Sequence, residues 1–168
     1  MTRPTAVRFG RHLITDHWSA RRAFPPAALR RIEEAIKVGE ARHTGQVRFV
    51  IEAALHLSQI LRGQTPRERA LDVFGRLRVW DTEENCGVLI YVLLADKDVE
   101  IVADRGIHRR VGDDAWKSIC RAMESAFRNR RFEEGAITGI ERVCALLAEH
   151  FPRTAPGPNE LPDRPLVL

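Results

Sequence analysis

Cys86-Gly87-Val88-Leu89-Ile90-Tyr91-Val92-Leu93-Leu94-Ala95 is the stretch on which the fold turns. Val88 to Ala95 is the longest unbroken apolar run of the chain. A strand that is apolar on both faces belongs inside a sheet covered on two sides. After Asp96-Lys97-Asp98, the residues Val99, Ile101 and Ala103 alternate with Glu100 and Asp104. Two strands joined by so short a turn form an antiparallel hairpin.

Working outward, Val47, Phe49 and Ile51 alternate with Arg48 and Glu52, which predicts a strand over 46–53. Pro25-Pro26 opens an amphipathic helix over 26–42, with Leu29, Ile32, Ile36 and Gly39 at helical spacing. Thr65-Pro66 with Glu68 reads as a capping box, followed by a helix face of Ala70, Phe74 and Leu77. Beyond the hairpin, Gly112-Asp113-Asp114 opens a helix with an Asp at its N-cap and a stripe of Trp116, Ile119, Cys120, Met123 and Phe127. A last helix over 134–150 carries Ile137, Ile140, Val143, Cys144 and Leu147. Pro152, Pro156, Pro158 and Pro162 hold the C-terminal segment extended. Helices must cover both faces of the sheet to bury 88–94. The expected fold is therefore an α/β three-layer α/β/α sandwich with a small mixed sheet containing a β-hairpin. Residues 1–24 read as a basic extension ordered in part by Trp18 and Phe24, 25–152 as the domain and 153–168 as an extended Pro-rich tail.

With 168 residues, 44% of them hydrophobic, the chain suits one domain. A domain of this size buries roughly 70% of its unfolded surface and needs no cofactor to fold. The apolar run is far shorter than the ~20 residues of a membrane span, and the N-terminal sequence lacks the apolar stretch of a secretory signal. Cytoplasmic residence is the expectation. Cys86, Cys120 and Cys144 form no CxxC or zinc-type spacing and read as reduced, buried thiols. Residues 1–48 hold ten basic against four acidic side chains, +6 of a formal net charge of +4. Such an arm could meet an anionic surface, but with no aromatic interleaving and no recognised motif it gives nucleic-acid binding little support.

GxGxxG, GxxxxGK[ST], HExxH and GxSxG are all absent. Cys86 opens the central strand with no base near it in sequence. The carboxylates are the better candidates. Glu83 and Glu84 precede the central strand, Asp104 ends its hairpin partner, and Asp113 and Asp114 lie just beyond it. An antiparallel hairpin sets Glu83/Glu84 and Asp104 on one sheet edge. Gathered oxygens there could hold Ca²⁺ or Mg²⁺ and polarise a phosphate. Two plainer readings stand beside this one: Asp113/Asp114 as a helix cap and Glu83/Glu84 as loop charges, with Asp104 ion-paired to Arg105. His12, His17, His43 and His108 read as surface or capping residues, and Trp80 and Trp116 as core.

The segment Asn85-Cys86-Gly87-Val88-Leu89-Ile90-Tyr91-Val92, the hairpin Asp98 to Ile107, Ala115-Trp116, Phe132-Glu133-Glu134-Gly135-Ala136-Ile137 and Thr44-Gly45-Gln46-Val47 together resemble a TPM domain over about 25–152. That family is also known from a thylakoid acid phosphatase. The resemblance implies the same fold and a possible metal-dependent acid phosphatase chemistry. Many members carry G-Y-G where Asp104-Arg105-Gly106 stands here, and Cys86 interrupts the Asn-Gly step. Asn159-Glu160-Leu161-Pro162-Asp163 is similar to the tail of short bacterial members often encoded beside LemA-like proteins and longer membrane-anchored TPM proteins. This company implies an interaction module, non-catalytic or weakly catalytic, with membrane-associated partners of those kinds.

Overall fold

The computed structural model describes residues 5–15 and 17–168, without the side chains of 5, 6, 9, 13, 14 and 17. In chain order the elements are α1 (Thr5–Ile14), α2 (His17–Ala23), α3 (Pro26–Glu40), β1 (Gln46–Glu52), α4 (Leu57–Leu61), α5 (Pro66–Arg76), β2 (Gly87–Leu93), β3 (Asp98–Ala103), α6 (Arg105–Val111), α7 (Asp113–Arg128), α8 (Phe132–His150) and β4 (Leu166–Val167). The sheet order is β3-β2-β1-β4. The β2–β3 hairpin is antiparallel, with Ile90 opposite Ile101. β1 runs parallel to β2, with Phe49 beside Ile90, and parallel to β4 on its other side.

Both faces of the sheet are covered, as the run 88–94 requires. Val47, Phe49 and Ile51 join Val88, Ile90 and Val92 in one core, closed by Ile32 and Ile36 of α3, Ile119 and Met123 of α7 and Ile140 and Val143 of α8. The intervening residues Val50, Leu89, Tyr91 and Leu93 face the opposite way, against Ile60 of α4 and Ala70 and Val73 of α5. Thr65 caps α5 as expected: its side chain accepts from the Glu68 N–H, while the Glu68 carboxylate accepts from the Thr65 N–H at 2.8 Å. This is a three-layer α/β/α arrangement around a four-stranded mixed sheet.

Several expectations are corrected. Within the basic extension, Thr5–Ile14 and His17–Ala23 form two helices that the weak periodicity does not show. Phe24 is buried among Phe49, Phe127 and Phe132, at ring distances of 6.2, 5.9 and 5.6 Å. Trp18, expected to help order this segment, is exposed. His12 is buried, accepting from the Leu55 N–H at 2.9 Å and facing Asp96 at 3.2 Å. His43 is buried as well, and the side chain of His17 lies outside the described ones. Asp113 is not an N-cap: Gly112, at φ +79°, holds that position and no side chain caps the helix. Asp104 caps instead, on α6, a helix the sequence did not reveal. Trp80 is exposed, whereas Trp116 is core. The tail turns back across the edge of β1. Arg48 donates from Nη1 to the carbonyls of Pro162 and Arg164, at 2.6 and 2.5 Å. The Gln46 Oε1 accepts from the N–H groups of Glu160 and Leu161, and the chain ends pairing as β4.

Candidate functional site

The hairpin brings the start of β2 and the end of β3 together, and the approach is close. The Asp104 N–H donates to the Gly87 carbonyl and the Gly106 N–H to the Asn85 carbonyl, both at 2.9 Å. A Cβ on Gly106 would lie 2.4 Å from the Asn85 oxygen, and one on Gly87 would lie 1.9 Å from the Val79 oxygen. Only glycine permits two backbones to meet at such distances.

Of the five carboxylates proposed from sequence, Asp104, Glu84 and Asp113 each face a different local group. Asp104 is buried; its Oδ1 accepts from the Arg105 N–H at 2.7 Å, while Oδ2 is buried without a hydrogen bond. Glu84 accepts from the Thr44 hydroxyl at 2.9 Å. Glu83 is exposed, and its N–H donates to the Glu160 carboxylate. Asp113 is exposed, 3.5 Å from the His108 ring nitrogen, and Asp114 is exposed. Among the described residues, no group of three or more His, Cys, Asp or Glu side chains is placed to hold a metal ion.

The thiols are poor nucleophiles. Cys86 and Cys144 are buried and Cys120 is half-buried, and burial pushes each up to about 12. Cys120 lines a cleft of about 450 Å³ between β3 and α7, together with Asp98, Glu100, Trp116 and Glu124. Burial, reinforced by Glu100, Glu124 and Asp96, raises Asp98 to about 7. A carboxyl that keeps a proton near neutrality is suited to acid–base work; in the sequence Asp98 reads only as a turn residue.

Two buried polar groups likewise leave no mark in the local sequence pattern. Arg69 grips Glu52 with two parallel hydrogen bonds, at 2.8 and 2.9 Å, and the Tyr91 hydroxyl donates to the same carboxylate at 2.6 Å. At the other end of β1, the Glu40 carboxyl accepts from the Val47 N–H at 2.7 Å. Burial, with Asp163 of the tail nearby, raises Glu40 to about 8. Burial lowers the neighbouring His43 to about 4.

Glu40 makes stability pH-dependent. The folded carboxyl holds its proton up to about pH 8, whereas a free one releases it near 4.5. The stabilisation is complete below that lower value and is lost as pH rises through 8, at no more than about 1.4 kcal/mol per unit. His43 has the opposite sign, costing stability only as pH falls below 6.5 towards 4. Melting temperature is thus expected to decline from about pH 6.5, where the His43 contribution ends, to about pH 8 and to level off above it. Glu40→Gln keeps the acceptor for Val47 and removes the titration, so its profile should be flatter and cross above the parent at high pH. Parallel profiles for the two proteins would contradict the assignment.

The three-layer sandwich with its glycine-tightened hairpin edge defines the class. The TPM domain family matches residues 20–146, and the chain belongs to that family. It is similar to the BA42 protein of the psychrophilic bacterium Bizionia argentinensis, at 31% identity and a TM-score of 0.73, over 84% of this chain and 92% of that one. The N-terminal domain of a P. gingivalis protein shares the fold at 16% identity and a TM-score of 0.60, over 77% and 82% of the two chains. No curated protein matches. Among the described residues, no helix is long and apolar enough to cross a membrane.

Proposed function

We propose that this TPM domain is an interaction module, non-catalytic or weakly catalytic, for membrane-associated partners such as LemA-like or longer membrane-anchored TPM proteins. The observation that carries the reading is apolar exposure on one layer. Leu57 and Leu61, four apart on α4 and so on one helix face, are 47% and 72% exposed, with Leu71 and Trp80 exposed on the same side of the sheet. Apolar side chains grouped on a surface mark a contact site more than scattered ones do. The three free thiols suit a reducing compartment such as the cytoplasm. Co-expression with a LemA-like or longer membrane-anchored TPM protein should carry the chain into the membrane fraction, and Leu57→Asp/Leu61→Asp should release it. Equal distribution of parent and variant would defeat the proposal.

A second reading, a divalent-metal-dependent phosphatase, is favoured by the unpaired, buried Oδ2 of Asp104. It requires the Glu83–Glu84 loop to bring a second carboxylate to that oxygen. A cation that binds only the folded state adds about 2.7 kcal/mol at a hundredfold excess over its Kd. Millimolar Ca²⁺ or Mg²⁺ would then raise the melting temperature by several degrees, and Asp104→Asn would abolish the rise. Metal-stimulated turnover of a generic phosphate ester that vanishes in Asp104→Ala would establish this reading over the first. An unchanged melt together with no turnover would eliminate it.

A further inference from the structure

A cleft of about 1050 Å³ runs along the edge of β1, between α2 and the start of α3 on one side and residues 162–167 on the other. Arg21, Arg30, Arg48 and Arg164 line it, with Glu33 as the single acidic wall residue. Arg48 is buried and committed to the tail through the Pro162 and Arg164 carbonyls. Arg21, Arg30 and Arg164 are exposed, and among the described residues no carboxylate pairs with any of them. Three exposed arginines without an ion-pair partner thus line a space of ligand size that holds a single carboxylate, Glu33.

The remaining walls are apolar, including Phe24, Leu29 and Leu166. Trp18 is not one of the lining residues, but it lies on α2 three residues before Arg21 and is therefore its neighbour on the helix surface. Trp18 is 65% exposed, and the Arg22 guanidinium lies 4.6 Å from the centre of its ring. Each feature selects the same chemistry. The planar fork of arginine matches phosphate oxygens two at a time. An indole favours the headgroup level of a bilayer, where one side is apolar and the other wet. An acidic peptide would satisfy the arginines but would leave the exposed indole without a role.

We propose that this face binds anionic phospholipid bilayers, seating headgroup phosphates on Arg21, Arg30 and Arg164 with Trp18 at the interface. The inference stands independently of the partner reading, since α4 and α5 lie on the other side of the sheet.

Sedimentation of the full chain with vesicles tests it. At low salt the protein should pellet with phosphatidylcholine vesicles containing phosphatidylglycerol and stay in solution with phosphatidylcholine alone. Each arginine near an anionic surface contributes about fivefold in affinity, so Arg21→Gln/Arg30→Gln/Arg164→Gln should bind about 100-fold more weakly while melting like the parent. Trp18→Ala should lose about fivefold. Arg62→Gln/Arg76→Gln/Arg78→Gln removes the same charge from the far side of the sheet and should retain most of the binding. The proposal is overturned if the parent does not pellet, or if both triple variants lose binding equally. Release of the bound protein by inorganic phosphate at constant ionic strength also overturns it, because the site would then be one for free anions.

Discussion

Leu89→Asp is expected to abolish cooperative unfolding, leaving a chain without the near-ultraviolet signal of packed aromatics. Leu89 is fully buried between β1 and β3, where it pairs with Arg48 and Val102, and it packs in the core beneath α4 and α5. An ionised carboxylate placed there is cut off from water, and the neighbouring Arg48 is already committed to the Pro162 and Arg164 carbonyls. The cost is several kcal/mol, comparable with the roughly 5–15 kcal/mol that holds a domain folded. Leu89→Met keeps volume and polarity and should cost less than about 1.5 kcal/mol. A thermal melt of the Asp variant that overlays the parent's would refute the placement of β2 in the middle of the sheet.

Arg69→Met is the second large effect. The guanidinium is the cationic partner of Glu52, and both side chains are largely buried. Removing it strands a carboxylate that is otherwise held only by the Tyr91 hydroxyl. Breaking one side of a buried pair costs about 3–5 kcal/mol, which for this size lowers the melting temperature by about 6–20 °C. Replacing all three members, as Arg69→Met/Glu52→Leu/Tyr91→Phe, leaves no unpaired group and should recover most of the loss. A single variant that melts within a degree or two of the parent would show that the pair contributes nothing.

The readable part of the fold is the part in which local pattern and tertiary environment agree. The run 88–94 is apolar on both faces because both faces are covered, and the Thr65–Glu68 box closes within four residues. α6 does not show because it has seven residues, only one of which, Ile107, is buried, so no period can register. β4 has two residues and exists because β1 offers an edge. The N-terminal helices are obscured by arginine-rich composition, although Phe24 is a fair pointer to burial.

The candidate site is legible only as backbone topology. Hairpin logic correctly implies that the loop before β2 lies against the end of β3, but it says nothing of where carboxyl groups turn. Asp104 spends one oxygen capping α6, a helix without a periodic signature. Of the family's G-Y-G pattern this chain keeps the last position, Gly106, and the contact with Asn85 shows why that glycine is required. Glu52, Arg69 and Tyr91 are separated by up to 39 positions and converge through parallel strand pairing and the α5 crossover, which no local window contains. His12 and His43 are neutral enough in pattern to pass for surface residues, and only the packed structure shows them inside.

The aromatic cluster around Phe24 bears on how the protein can be shortened. Phe24 belongs to the stretch preceding α3, yet its ring sits among rings contributed by β1, α7 and α8. A fragment starting at residue 25 would keep every strand and still lack the centre of that cluster. Deleting such a ring from a core costs about 3–5 kcal/mol. Trimming the arginine-rich start would therefore report on cohesion before it reported on charge. Substituting arginines one at a time keeps the two effects apart, because the hydrophobic anchor and the cationic surface share one short piece of chain.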